Sequence, residues 1–232
     1  MEAMLNARNL VIGVVVLALA GVGGFYAWTH YGPSAAATAS DNPARAGLPA
    51  PIDSPMNQAQ EGDMVMGDAN APITFIEYSS LSCPHCARHH MTVLPEIKKQ
   101  YIDTGKVKLV LRDFPLNGPA VQASMLAHCV SPLAYWGMVD QLFATQQAWV
   151  VENSGPALAV IAAAAGINGQ DFQGCLSDQA IKDKIIASAE NADKAYKVES
   201  TPTFVVNGIV IKGEKSFEEF KKIFDALAPA AN

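Results

Sequence analysis

Basic clusters are missing from this chain of 232 residues. Its 16 lysines and arginines, never more than two adjacent, face 22 aspartates and glutamates, for a net charge of −6, so it offers no stripe for holding nucleic-acid phosphates. Cysteine is scarce as well, with four residues and a single C-x-x-C, Cys83 to Cys86. Without a second such pair a structural zinc site lacks half its usual ligands. Haem attachment needs histidine directly after the second cysteine, and position 87 is alanine. No internal repeat is visible. Residues 29–60 have almost no large apolar side chains; this Pro/Ala-rich stretch buries too little to fold alone and reads as a flexible linker.

What precedes that linker is strongly apolar. Residues 10–28 (LVIGVVVLALAGVGGFYAW) carry no charge and are long enough to span a bilayer. Arg8 and the amino terminus outweigh Glu2, which favours a cytoplasmic N-terminus and an exported remainder. The small residues at 35–39 (AAATA) keep a cleaved signal open as the alternative. The chain therefore divides into an anchor or signal at 1–28, a linker at 29–60 and a folded domain at 61–232. All four cysteines fall in that last part, an even count suited to an oxidising compartment.

Residues 73–78 (ITFIEY) and 107–111 (VKLVL) predict two strands. The segment between them predicts a helix with Ala87, Met91, Leu94, Ile97 and Tyr101 on its buried face and a kink at Pro95. A right-handed βαβ crossover makes the strands parallel. Farther on, 203–206 and 209–212 flank Asn207-Gly208, a type I′ hairpin signal. Ser216 and Glu219 then form a capping box for a helix lined by Phe217, Phe220, Ile223, Phe224 and Leu227. The interval 119–196 shows only helical stretches, among them 133–149 and 156–165, the latter stopped by Gly166. The fold class is α/β, with a helical insertion at about 118–198.

The C-x-x-C lies where the first strand gives way to the helix. Pro84 suits the first helical position, which makes Cys83 the N-cap, its sulfur facing the free N–H groups of His85 and Cys86. The helix dipole and a neighbouring His85 imidazole both favour a thiolate there. Cys86 lies one turn on, within reach of a disulfide. Each pKa unit of thiolate stabilisation is worth about 1.4 kcal/mol, or about 30 mV in a two-electron couple. His89 or His90 would supply a third ligand in a reading of the pair as a metal-handling module.

With Cys83-Pro84-His85-Cys86 after a strand, a helical insertion, and Thr201-Pro202 opening Thr-Phe-Val-Val-Asn-Gly, residues 62–227 resemble the DsbA-type thioredoxin-fold thiol:disulfide oxidoreductases. The resemblance implies a thioredoxin fold, no cofactor and no resident metal. Cys83 becomes the solvent-facing attacking cysteine and Cys86 the buried resolving one. Pro202 becomes a cis proline, with Thr201 offering backbone groups to an extended substrate. Glu77 matches a carboxylate that relays the Cys86 proton; the other reading of Glu77 is a polar strand residue facing solvent. The implied partners are reduced exported proteins and a DsbB-like membrane oxidase. The implied setting is the bacterial periplasm, tethered to the inner membrane by the N-terminal helix or released by its cleavage. The linker has no core-forming apolar periodicity that predicts a dimer, so the domain is expected to be monomeric. Thr201 replaces the valine of the best-known oxidases and also occurs in isomerase relatives, which keeps an isomerase or reductase open. In an oxidising compartment Cys129 and Cys175 suit a structural disulfide; the alternative is two small buried hydrophobes.

Overall fold

A computed structural model describes residues 45–229. The expected anchor at 1–28 and the linker as far as residue 44 lie outside the described residues. No described helix is long and apolar enough to cross a membrane.

The segment ITFIEYS is too apolar to leave either face in water, and it becomes the central strand β2 (Ile73–Ser79), buried along its whole length. β3 (Val107–Asp113) pairs with it in parallel, as the βαβ reading requires. On its other side β4 (Thr203–Val206) runs antiparallel and continues through Asn207-Gly208 into β5 (Ile209–Lys212). Both turn residues have positive φ, 46° and 87°, as a type I′ turn demands. A further strand, β1 (Met64–Met66), pairs antiparallel with β3, giving the order β1-β3-β2-β4-β5. Three residues are too few for period-two alternation to register in the sequence.

The crossover helix begins as α1 (Pro84–Arg88), widens through His89–Val93 and resumes as α2 (Leu94–Ile97). A second wide stretch, Lys98–Ile102, completes it. In the first wide stretch the Leu94 N–H reaches back to the His89 carbonyl, five residues away. Such a π-turn just before Pro95 accommodates a residue that lacks its own N–H. The same turn shifts the buried face. Met91, expected in the core, is 49% exposed, while His89 and His90 are buried.

The insertion holds six helices. They are α3 (Gly118–Cys129), α4 (Tyr135–Ala144), α5 (Gln146–Trp149), α6 (Gly155–Ala164), α7 (Gly169–Ser177) and α8 (Gln179–Tyr196). The single helix expected over 133–149 is two, because the Thr145 hydroxyl donates to the Gln141 carbonyl and the backbone leaves helical geometry there. The last helix, α9 (Phe217–Leu227), has the predicted capping box of Ser216 and Glu219.

Three packed clusters result. Phe75, Phe204, Phe220 and Phe224 stack between one sheet face, α2 and α9. Ile76, Tyr78 and Val205 meet Tyr196 of α8 on the opposite face. The insertion has its own core around Leu126, Met138, Leu142 and Trp149, and that cluster includes Cys83 and Cys86.

The described part of the expected linker is not loose. Ile52 N–H donates to Gly208 O at 2.8 Å, and Tyr196 hydroxyl donates to Asn57 Oδ1 at 2.6 Å. Buried Arg112 donates to the carbonyls of Met56 and Gln58 at 2.8 and 2.9 Å and to Asp63 at 2.7 Å. This arm attaches mainly through backbone carbonyls, a contribution that a scan for apolar side chains does not register.

Candidate functional site

Cys83 caps α1 in extended geometry (φ −81°, ψ 123°), with Pro84 in the first turn, as expected. Cys83 and Cys86 are both free thiols. The peptide bond between Thr201 and Pro202 is cis, and the Thr201 carbonyl lies 3.4 Å from Cys83 Sγ, which donates to it. Thus residues 118 positions apart in sequence share one site.

Both sulfurs are more enclosed than the resemblance implies: Cys83 is 4% exposed and Cys86 0%. Cys83 is the more open of the two, but it does not face bulk solvent. Its environment nonetheless separates their chemistry. The Cys86 thiol hydrogen-bonds to the Cys83 sulfur and, with the Thr201 side chain and the N–H groups of His85 and Cys86, outweighs burial to bring the Cys83 pKa down to about 5; the Thr201 carbonyl, an acceptor, favours the thiol and does not contribute to that lowering. Neither N–H completes a capping hydrogen bond in the dithiol form; both act through proximity and alignment. Cys86 moves far in the opposite direction, first through desolvation and then through its bond to Cys83 and the nearby Glu77. One sulfur is built to hold negative charge and the other to hold a proton.

His85 acts on the sulfur through its main chain rather than its ring. The ring is turned outward, its Nδ1 at 2.7 Å from Arg88 Nη2 and 3.0 Å from Glu214 Oε2. Arg88 holds both carboxylate oxygens of Glu214, at 2.6 and 2.8 Å, and with His85 brings the Glu214 pKa down to about 2. Glu214 follows β5, and the sequence carries no local sign that it belongs to the site. The same is true of Gln146, whose side-chain amide donates to the carbonyls of Leu81 and Cys83 at 2.7 and 3.0 Å. Gln146 ties the insertion to the loop that presents the first cysteine.

Glu77 is 0% exposed, which overturns the reading of it as a solvent-facing strand residue. Period-two alternation places it with Phe75 on the helix-covered face, between Leu111 and Phe204 of the neighbouring strands. Burial raises its pKa to about 7, partly offset by His90 and by nearby Ser79, whose hydroxyl completes no hydrogen bond to it. His89 and His90 do not converge on the sulfurs as metal ligands. His90 bonds Asp140 at 2.6 Å, and the His89 ring lies among Phe75, Phe204 and Phe220. Away from the site, Cys129 on α3 and Cys175 on α7 are joined in a disulfide with Cα atoms 5.7 Å apart.

A parallel βαβ unit, a dithiol at the helix start and a cis proline facing it define a thioredoxin-fold redox protein. The family model described as Thioredoxin matches residues 59–226. A Rickettsia bellii protein assigned as a protein-disulfide oxidoreductase is 34% identical over 177 residues, covering 71% of this chain and 68% of that protein. Disulfide bond formation protein D of Bacillus subtilis is 25% identical over 173 residues, covering 71% of this chain and 77% of that one. The crystal structure of Wolbachia pipientis alpha-DsbA1 superposes with a TM-score of 0.69 at 32% identity, covering 73% of this chain and 92% of that one. The chain belongs to the DsbA-like thioredoxin-fold protein-disulfide oxidoreductases.

Proposed function

We propose that the protein is a dithiol oxidase that introduces disulfide bonds into exported proteins. A substrate thiolate attacks Cys83 Sγ; a substrate–Cys83 disulfide forms, the Cys83–Cys86 bond breaks, and Cys86 leaves with the electron pair and takes up a proton. A second substrate thiolate then attacks the substrate sulfur of that mixed disulfide and releases Cys83 as a thiolate. Two electrons have passed from the substrate dithiol to the enzyme. A DsbB-like membrane oxidase returns the enzyme to its disulfide form, and no other cofactor enters. Thr201 and Pro202 receive the substrate segment in extended form. Glu77 supplies the proton that Cys86 takes up. The protein works as a monomer in the bacterial periplasm, held to the inner membrane by its N-terminal segment, and the Cys129–Cys175 bond is structural.

The observation that carries this reading is the opposed environment of the two sulfurs. A stabilised Cys83 thiolate makes the dithiol a favoured product, so the disulfide is a strong oxidant. Equilibration with glutathione buffers tests it: the reading requires a potential above about −200 mV, and a value near the about −270 mV of thioredoxin sinks it. Thr201 before the proline favours a second reading, an isomerase kept reduced by a membrane partner. Alkylation of thiols before lysis separates the two, since an oxidase is trapped mostly as the disulfide. Cys86→Ser should accumulate mixed disulfides through Cys83; partners trapped instead in Cys83→Ser would reverse the assignment.

A further inference from the structure

Behind the dithiol lies a group of buried polar atoms without hydrogen bonds: both carboxylate oxygens of Glu77, the hydroxyl of Ser79 and both ring nitrogens of His89. Glu77 Oε2 and His89 Nε2 are 3.7 Å apart, just beyond hydrogen-bond range, and both residues are 0% exposed. The His89 ring is enclosed by aromatic neighbours, its centroid 4.7 Å from that of Phe204 and 5.4 Å from that of Phe220. A phenylalanine would occupy that space with no polar atom to satisfy. An imidazole there costs free energy unless a charge state of its neighbour uses it.

That charge state arises during turnover. We propose that His89 is the positioning residue of the Glu77 proton relay, its Nε2–H donating to the carboxylate that Glu77 becomes on protonating the Cys86 thiolate. The inference rests on Glu77 serving as the relay. One proton moves, from the Glu77 carboxyl to Cys86 sulfur; His89 keeps its own and supplies only the hydrogen bond, closing a gap of less than about 1 Å. Burial brings the His89 pKa down to about 3, so the ring stays neutral throughout the working range. The other groups acting on the pair are Ser79 on β2, His90 beside it, Cys83 and Cys86 at the head of α1, Tyr135 on α4 and Glu214 after β5. None of them completes a hydrogen bond to either Glu77 oxygen.

The test follows the Glu77 carboxyl band by infrared spectroscopy against pH in the oxidised protein, alongside the stopped-flow rate of reduction by glutathione. In His89→Phe the band should persist about one to two pH units higher than in the wild type, since a hydrogen bond to the charged form is lost. The inflection in the reduction rate should move with it, and His89→Gln, which keeps a donor, should shift less. An unmoved Glu77 titration in folded His89→Phe overturns the proposal. Nitrogen-15 NMR of the wild type decides independently of how any variant folds: a proton on His89 Nε2 supports the hydrogen bond, and its absence overturns it. If Glu77→Gln reduces with an unchanged pH profile, the relay itself falls, whatever the infrared titration shows for His89.

Discussion

Closing the Cys83–Cys86 disulfide should invert the order of stability of the two redox forms as pH is changed. In the dithiol form folding lowers the Cys83 pKa from 9.0 to about 5. Between those values the unfolded chain binds a proton that the native chain does not, so stability rises with pH. The contribution is absent below the folded value and complete above the unfolded one. At pH 7 two units have accrued, about 3 kcal/mol, equivalent to about 60 mV in the potential of the couple. The oxidised form gives up that stabilisation but gains the loop-closure entropy of a one-turn cross-link, about 2 kcal/mol in the chain-entropy model. The balance favours the dithiol by about 1 kcal/mol at pH 7 and about 2 kcal/mol at pH 8, and it reverses near pH 6. Glu77 is buried behind the dithiol, and a one-turn disulfide closing without backbone movement leaves that burial in place, so most of its cost is expected to cancel in the comparison. Urea melts of the oxidised and reduced protein at pH 5, 7 and 8 measure the gap. An oxidised form still more stable at pH 8, or a gap that does not move with pH, would refute the thiolate argument.

Two further perturbations test the scaffold. Asp63→Asn leaves the 4%-exposed Arg112 without its counter-ion and should cost about 3 kcal/mol or more in denaturant melts, with little change in the redox potential of the dithiol; a change under 1 kcal/mol would show the arm carbonyls suffice. Cys129→Ala/Cys175→Ala opens a cross-link between positions 46 residues apart and should lose about 4 kcal/mol of stability while retaining thiol oxidation below its lowered Tm. Full loss of turnover in the folded double variant would place that disulfide in the reaction itself.

The elements readable in advance share one property: their cause lies within a few residues. Asn207-Gly208 turns the hairpin because both positions accept positive φ, Ser216 and Glu219 cap α9 because they are three apart, and Cys83 caps α1 because proline follows it. β1 escaped notice because three residues carry no periodicity, and its pairing depends on β3, more than forty positions away along the chain (Met64 opposite Leu111). The arm that contains Asn57 reads as linker in the sequence because its partners, Gly208 and Tyr196, lie far along the chain.

The site divides in the same way. The sequence alone determined which cysteines form the redox pair and the position of Cys83 at the head of a helix, since capping and i,i+3 spacing are local. What surrounds the sulfurs comes from long-range packing: the Thr201 carbonyl on Cys83, the Gln146 amide under its loop, the Arg88–Glu214 pair that turns His85 outward, and the π-turn that drives His89 into the core beside Glu77. Charge stabilisation and desolvation depend on every atom within several ångströms, and those atoms are assembled from four separate parts of the chain.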